Sequence, residues 1–231
     1  MFTPAKHLPT LASLAAALVL VACSADSNTA APLAPANAAM AVVRAPAPSV
    51  VAAGAIVAER AERPTNVDPR HSTMATVYPS NAVTYFLHVS PIDNETWVIG
   101  THMVKFPANT ICDPSKSTYG AGTWLNTCTK FTTDADVNIY ATTWTDANGR
   151  PQIDFDRALR FYPNSLGQLP SIYLRNAAAS LTSWGRVDYC SGVGACVNEA
   201  ATDAVLVTQR DAATGFLFRL IRHFSGYNVW A

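Results

Sequence analysis

The sequence predicts an all-β fold for residues 76–231, an antiparallel β-sandwich of about 8–10 short strands. Three observations lead to this prediction. Apolar and polar residues alternate with a period of two in most segments of this region. Turn-forming sequences containing Gly, Asn, Asp and Pro separate these segments. All five Trp and all eight Tyr lie beyond residue 65, and aromatic side chains suit a half-buried pleated surface.

The longest strand patterns lie in the first half of this region. Val83–Val89 alternates apolar and polar residues, and Thr96–Phe106 continues the pattern after a turn at Pro91–Asn94. Val137–Trp144 is rich in β-branched and aromatic residues. Asp146–Gly149 follows it and predicts a hairpin turn, because Asn and Gly tolerate the positive φ that tight turns need.

The second half contains shorter strand patterns and one helical one. Asp211–Gly215 predicts a second hairpin turn. The only segment that resembles a helix is Asn176–Thr182, which is too short to change the fold class. The remaining predicted strands are Gln152–Phe155, Leu159–Tyr162, Ser171–Leu174, Ala204–Thr208, Phe216–Phe224 and Tyr227–Trp230.

Residues 1–22 have the organisation of a secretory signal peptide. A short polar start precedes an apolar run over residues 11–22, which is too short to span about 30 Å of hydrocarbon. The run ends in Leu20-Val21-Ala22-Cys23, which resembles the lipobox of bacterial lipoproteins. The resemblance implies cleavage after residue 22 and lipidation of Cys23, which anchors a chain without a transmembrane helix. The alternative is an ordinary secretory signal with a chance cysteine.

The residue after Cys23 bears on location. Ser24 stands where Asp favours inner-membrane retention of enterobacterial lipoproteins. The resemblance therefore implies a lipid-anchored protein of the bacterial cell envelope, at the outer membrane or cell surface rather than the inner membrane.

Residues 23–75 have the composition of a flexible tether. Between Thr29 and Ala58, thirteen of thirty residues are Ala, four are Pro and none is aromatic. Alanine buries little apolar area and scattered prolines interrupt helices, so this composition does not offset the entropy of ordering. A short helix over Val50–Arg63 is the alternative. A flexible chain of about 40 residues has an r.m.s. reach of roughly 35 Å.

Four cysteines in the predicted sandwich indicate two disulfides, because an exported chain meets an oxidising compartment. We favour Cys112–Cys128 and Cys190–Cys196 among the three possible pairings, since each pair frames a polar, Gly-containing loop. A four-cysteine zinc site is the competing interpretation, but no C-x-x-C spacing is present.

Charge and motifs exclude several functional classes. Lys plus Arg is 16 and Asp plus Glu is 16, so the formal net charge is zero, which argues against a nucleic-acid partner. The histidines lack metal-binding spacing, and the chain has no phosphate loop, dinucleotide fingerprint or G-x-S-x-G motif. We therefore expect no metal and no cofactor.

Three short segments together resemble ZU-type domains, which are named for zonula-occludens and netrin-receptor proteins. They are Met103–Asn109, a strand that ends in Pro-Ala-Asn; Leu159–Pro163, an apolar run closed by Pro; and Ile221–Tyr227, which contains His-Phe-Ser-Gly-Tyr. The resemblance spans residues 83–231 and implies an Ig-like β-sandwich used mainly for protein interaction. The two cysteine pairs depart from the usual pattern of the family.

The resemblance also implies one candidate reaction. In some ZU-type domains the His-Phe-Ser tripeptide cleaves itself between Phe and Ser. Here Ser225 would be the nucleophile on the Phe224 carbonyl and His223 the base. The alternative is a structural strand in which Phe224 packs inward and Ser225 bonds locally.

Trp124 is the candidate ligand-binding residue. It lies in the polar, Gly-containing segment Tyr119–Trp124, where an exposed ring could stack on a sugar. The leading hypothesis is a lipid-anchored envelope protein with a non-catalytic binding or structural module. Its expected partners are the membrane, through the lipid on Cys23, and an envelope protein or glycan. Self-cleavage at Phe224–Ser225 and glycan binding are the alternatives.

Overall fold

The computed structural model describes residues 54–65, 77–191 and 196–230, which form two β-sheets packed together. One short helix, α1 (Ala177–Ser180), accompanies them. The strands are β1 (Ile56–Val57), β2 (Glu59–Arg60), β3 (Val83–Val89), β4 (Glu95–Ile99), β5 (His102–Phe106), β6 (Val137–Thr145), β7 (Pro151–Phe155), β8 (Ser171–Arg175), β9 (Arg186–Cys190), β10 (Cys196–Val197), β11 (Gln209–Asp211), β12 (Phe216–Leu220) and β13 (Gly226–Trp230).

The two sheets differ in which parts of the chain they contain. The six-stranded sheet has the order β1-β4-β5-β8-β12-β11, and the seven-stranded sheet has the order β10-β9-β13-β7-β6-β3-β2. Apart from β1, which is parallel to β4, the described strand pairs are antiparallel. The predicted all-β antiparallel sandwich is therefore confirmed.

The alternation seen in the sequence places one face of each strand in the interior. On β3, Leu87 and Val89 are fully buried whereas His88 between them is exposed. Leu87 lies opposite Ile139 of β6, which is also fully buried. Because side chains alternate across a strand, this register places Leu87, Val89 and Ile139 on the same, interior side, whereas Phe86 lies on the other face opposite Tyr140.

The interior is centred on a cluster of phenylalanine rings. Phe224 stacks on Phe155 at 3.9 Å between ring centroids and meets Phe161 edge-on at 4.9 Å and Phe106 edge-on at 5.8 Å. These four rings are at most 1% exposed. Phe224 therefore packs inward, as the structural interpretation of His-Phe-Ser requires.

The tether predicted for residues 23–75 is wrong over residues 56–60. Ile56 pairs with Trp97 at one edge of the six-stranded sheet, and Glu59 pairs with Phe86 at one edge of the seven-stranded sheet. Ala58, between these strands, is 5% exposed in the core. Backbone hydrogen bonds to free sheet edges hold this segment, and an Ala-rich sequence carries no sign of them. The helix considered for Val50–Arg63 is wrong for the same residues.

The signal peptide over residues 1–22, the proposed lipidation site Cys23, and tether residues 24–53 and 66–75 lie outside the described residues. No described helix is long and apolar enough to cross a membrane.

One predicted strand is a hairpin. Thr96–Phe106 divides into β4 and β5 at Gly100, whose φ is +61°. A Cβ at that position would lie 2.8 Å from the hydroxyl oxygen of Tyr85, so the turn also requires the missing side chain.

Two predicted strands are irregular in the structure. Residues 204–206 form a 3₁₀ turn because the Asp203 carboxylate accepts a hydrogen bond from the Val205 amide, and β11 begins only at Gln209. Leu159–Tyr162 contributes only two isolated bridges, Arg160 with His223 and Phe161 with Ile111.

Strand β9, which lies inside its sheet, has no counterpart among the predicted strands, and neither do the edge strands β1, β2 and β10. Strand β9 lies between β10 and β13, yet it contains charged residues. Asp188 is 1% exposed and accepts a hydrogen bond from the Arg186 Nε at 2.9 Å. The buried Asp188 carboxylate is thus paired with a charged residue of its own strand. In the sequence, charged residues this close together are more typical of a polar loop than of a buried strand.

Candidate functional site

A cleft of about 500 Å³ brings together two candidates that the sequence treated separately, Trp124 and Ser225. We call it the aromatic cleft, because three of its lining side chains are aromatic. Its lining residues are Tyr119, Gly120, Ala121, Trp124, Tyr189, Ser191 and Ser225.

One wall of the aromatic cleft is a loop closed by a disulfide. Cys112 and Cys128 are bonded, with a sequence separation of 16 residues, and the loop between them carries Tyr119 and Trp124. The Trp124 ring meets the Tyr119 ring edge-on at 4.9 Å between centroids. The Thr123 hydroxyl donates to the Gly120 carbonyl oxygen at 2.8 Å and tightens the turn between the two rings.

The opposite wall is the end of β9. Tyr189 contributes the ring, and burial raises the pKa of its hydroxyl despite hydrogen bonds with Ser225 and Ser191. The adjacent Cys190 is bonded to Cys196, its cross-strand partner on β10. Both disulfides therefore follow the pairing that the sequence favoured, and each fixes one wall of the cleft.

His223 lies beneath the rings. Its imidazole is fully buried, stacked on Trp124 at 3.7 Å between centroids with an angle of 24° between the planes. Tyr189 meets it edge-on at 4.5 Å. Its Nε2 lies 2.7 Å from Oε1 of Glu199, whereas its Nδ1 is buried without a hydrogen-bond partner.

Glu199 joins His223 to a second buried base. Nη2 of Arg219 donates to Oε2 of Glu199 at 2.7 Å, and the Arg219 side chain is fully buried. Burial of Glu199 acts to raise its pKa, but the hydrogen bond from His223 and the charges of His223 and Arg219 outweigh it and hold the pKa below its usual value. Buried charges are costly unless paired, so these three side chains depend on one another.

The peptide bond between Phe224 and Ser225 lies at the aromatic cleft, which Ser225 lines. The Tyr119 hydroxyl donates to the Phe224 carbonyl oxygen at 2.5 Å. The Tyr227 hydroxyl donates to the His223 carbonyl oxygen, also at 2.5 Å. Among the described non-glycine residues only Asn109 has positive φ, so the backbone at this peptide bond has an ordinary φ. A carbonyl oxygen that accepts a hydrogen bond from a phenol hydroxyl is polarised, which favours nucleophilic attack at the carbonyl carbon.

The structure places Trp124 differently from the sequence expectation. We expected an exposed ring, but Trp124 is half-buried as a wall of the cleft. Trp184 is 64% exposed and Trp230 is 39% exposed, so they present more open surface. Neither lines the aromatic cleft.

Four residues of the site carry no local signal in the sequence. Tyr119, Tyr189, Glu199 and Arg219 belong to segments that the fold alone brings together. The His-Phe-Ser motif at residues 223–225 is visible in the sequence. Its contacting residues are not, because they lie up to 105 residues away along the chain.

Among the described residues, no group of three or more His, Cys, Asp or Glu side chains is arranged to hold a metal ion. Comparison of the chain with models of known protein families, with curated proteins and with solved structures finds no match.

Proposed function

We propose that this protein is a lipid-anchored component of the bacterial cell envelope whose β-sandwich binds carbohydrate in the aromatic cleft without catalysing a reaction. One observation is the main support for a binding role. Three aromatic side chains with polar tips converge on a cleft whose two walls are each fixed by a disulfide.

The chemistry of the cleft favours a sugar. Aromatic faces take the apolar C–H faces of a ligand, whereas the phenol hydroxyls, the indole N–H and serine hydroxyls bond its polar groups. The volume of about 500 Å³ lies within the range of about 300–1,000 Å³ typical of small-molecule sites. Fixed walls lower the entropy lost on binding, which supports recognition by a preformed site.

The envelope location rests on the amino-terminal sequence. The apolar run over residues 11–22 and the cysteine that ends it, Cys23, support export and lipidation. We expect mature protein from a bacterial expression host to carry an acylated Cys23 by mass spectrometry and to partition with membranes. The Cys23→Ser variant should be recovered in the soluble fraction. Equal partitioning of both proteins would overturn the anchor.

Binding is tested by titrating the protein with a panel of soluble glycans. The panel contains peptidoglycan fragments, chito-oligosaccharides and cello-oligosaccharides, and tryptophan fluorescence and calorimetry report binding. We expect at least one probe to bind with a change in fluorescence. Trp124→Ala should weaken that binding at least tenfold, which corresponds to about 1.4 kcal/mol.

Trp184→Ala is the matched control, because Trp184 is exposed and does not line the cleft. It should leave affinity unchanged. Absence of binding by the unmodified protein, or equal affinity of both tryptophan variants, contradicts the proposal.

A second candidate function is self-cleavage at Phe224–Ser225, and the hydrogen bond from Tyr119 to the Phe224 carbonyl favours it. In this reaction Oγ of Ser225 attacks the carbonyl carbon of Phe224, and the bond to the Ser225 nitrogen breaks. The hydroxyl proton passes through Nδ1 of His223 to the released amine, which leaves an ester. Water then hydrolyses the ester to a Phe224 carboxylate and a free Ser225 hydroxyl.

Mass spectrometry under denaturing conditions tests this candidate. Cleavage predicts a released peptide over residues 225–231 even though β13 lies between β7 and β9 in the native sheet. Tyr119→Phe should slow its appearance and Ser225→Ala should abolish it. An intact mature chain after prolonged incubation rejects the candidate.

A further inference from the structure

A second cavity lies beside the aromatic cleft and has a different chemical character. Its volume is about 380 Å³. We call it the basic cavity, since its only charged lining residues are Lys116 and Arg160, and no carboxylate lines it among the described residues. The other lining residues are Ser117, Thr118, Thr127, Cys128 and Thr129.

Arg160 is a buried cation paired with neutral groups. It is 4% exposed, and its Nη1 and Nη2 donate to the backbone carbonyl oxygens of Thr123 at 2.9 Å and Thr127 at 3.0 Å. Its Nε has no hydrogen-bond partner. The other buried arginine of the described residues, Arg219, is bonded to the Glu199 carboxylate. A buried guanidinium without a carboxylate is costly, and a bound anion would offset that cost.

Lys116 adds a second cation at the rim of the basic cavity. Its side chain is 65% exposed, and its Nζ lies 3.0 Å from Oδ2 of Asp113. Asp113 also accepts hydrogen bonds from the amide and hydroxyl of Ser115. The net charge of Lys116, Arg160 and Asp113 is therefore positive, because two cations face one carboxylate. Threonine hydroxyls in the same wall can donate to an anion.

The same loop separates the basic cavity from the aromatic cleft. Residues 116–118 line the first and residues 119–121 line the second. Arg160 bonds to the carbonyl of Thr123, the residue before Trp124, and forms a backbone bridge with His223. The two cavities therefore share one loop, along which a ligand in the cleft could extend a substituent towards the basic cavity.

We propose that the basic cavity binds an acidic substituent of the carbohydrate held in the aromatic cleft, so that the ligand is an acidic glycan carrying carboxylate or sulfate groups. This inference rests on the proposed function. Lys116 and Arg160 supply attraction to the anion, and the aromatic rings supply the sugar contacts.

Matched pairs of probes test the inference. Oligogalacturonate is compared with its methyl ester, and dextran sulfate oligosaccharide with dextran, so that each pair contrasts an anionic and a neutral form of the same sugar chain. We expect the acidic member of one pair to bind at least tenfold more tightly, and the pair identifies carboxylate or sulfate. Raising the salt concentration should weaken that binding and leave any neutral binding unchanged.

Variants connect the effect to the cavity. Lys116→Gln should weaken the acidic probe on the order of five- to tenfold while leaving the neutral probe unchanged. Arg160→Gln should also weaken binding of the acidic probe, provided that the variant folds. Because Lys116 is exposed, Lys116→Gln tests the inference even if Arg160→Gln does not fold. Arg175→Gln is the control, because Arg175 is exposed at the end of β8 and does not line the cavity. Trp124→Ala should weaken both members of a pair.

The outcomes separate the two proposals. Equal binding of acidic and neutral probes overturns the basic cavity but leaves sugar binding in place. No binding of any probe overturns both. Preference for the acidic probe that survives Lys116→Gln unchanged also overturns the assignment.

Discussion

The phenylalanine core and the aromatic cleft lie on either side of the same short segment, yet different forces hold them. The Phe224 ring packs against three other phenylalanine rings in the core, whereas the imidazole of the preceding His223 contacts Glu199, Trp124 and Tyr189 beneath the cleft. The phenylalanine cluster is held by ring packing, whereas a disulfide lies in each wall of the cleft.

The two regions differ in how their buried groups contribute to stability. An apolar core stabilises the protein through area removed from water, and its strands supply their own hydrogen bonds. Beneath the cleft lie a largely buried glutamate and a fully buried arginine, a kind of pair that hydrophobic residues of similar volume often replace without loss of stability. Charged groups retained at such a place favour a role in recognition.

The largest expected effect is in the core. Phe224→Ala removes a ring that is fully buried among three others, so we expect it to lower the free energy of unfolding by about 3–5 kcal/mol. Urea or thermal unfolding measures the change. Phe86→Ala is the control, because Phe86 is only half-buried and its described ring partner is Tyr140. A loss of under 1 kcal/mol at Phe224 would show that the core relaxes around the gap.

The cleft should respond almost as strongly through charge. Glu199→Gln leaves Arg219 buried without its carboxylate, and we expect a loss of about 3 kcal/mol. Asp203→Asn is the matched control, since Asp203 pairs with the less buried Arg222. The double variant Glu199→Gln/Arg219→Gln should lose less than the sum of its two single variants. Additive losses would mean that the two side chains are energetically independent.

Acid should weaken the sandwich through a different residue, His102. Burial lowers its pKa from 6.5 to about 4, and its Nδ1 accepts a hydrogen bond from the Arg175 amide. The unfolded chain therefore binds a proton at His102 between these pH values while the folded chain does not. Stability is complete above about pH 6.5 and falls as the pH drops towards 4, by about 3 kcal/mol.

Urea unfolding at pH 7 and pH 4 measures this dependence. His102→Gln should reduce the pH dependence, whatever its effect at pH 7. The same pH dependence in His102→Gln would assign it elsewhere. We expect a further loss of stability at more acid pH, because Glu199 has a lowered pKa in the folded protein. Its carboxylate stays charged, and continues to stabilise the fold, until the pH falls below the usual range of glutamate pKa values.

The smallest predicted contrast lies between the two disulfides. Cys112–Cys128 spans 16 residues and Cys190–Cys196 spans six. Longer loops lose more entropy in the unfolded chain when closed, so we expect losses of about 3 and about 2 kcal/mol when each pair is replaced by serine. Chemical unfolding of the two double variants measures the difference. The reverse order would show that contacts of the β9–β10 wall, rather than loop entropy, decide its stability.

Much of the fold could be predicted because its signals are local. The alternation in Val83–Val89 and the turns at Asp146–Gly149 and Asp211–Gly215 depend on residues next to one another in sequence, and all three are confirmed. The strand β9 escaped prediction because its buried Asp188 is neutralised within the strand. The edge strands β1 and β2 escaped because backbone groups of distant strands hold them.

The sequence by itself determined the sandwich class, its main hairpins and the favoured cysteine pairs, because periodicity, turn chemistry and loop spacing act over a few residues. Only the tertiary structure decided that Trp124 stacks on His223 and that Tyr119 reaches the Phe224 carbonyl. It also decided that Arg160 stays buried without a carboxylate beside them. These contacts join segments up to 105 residues apart, and their partners are selected by shape and charge in three dimensions rather than by spacing along the chain.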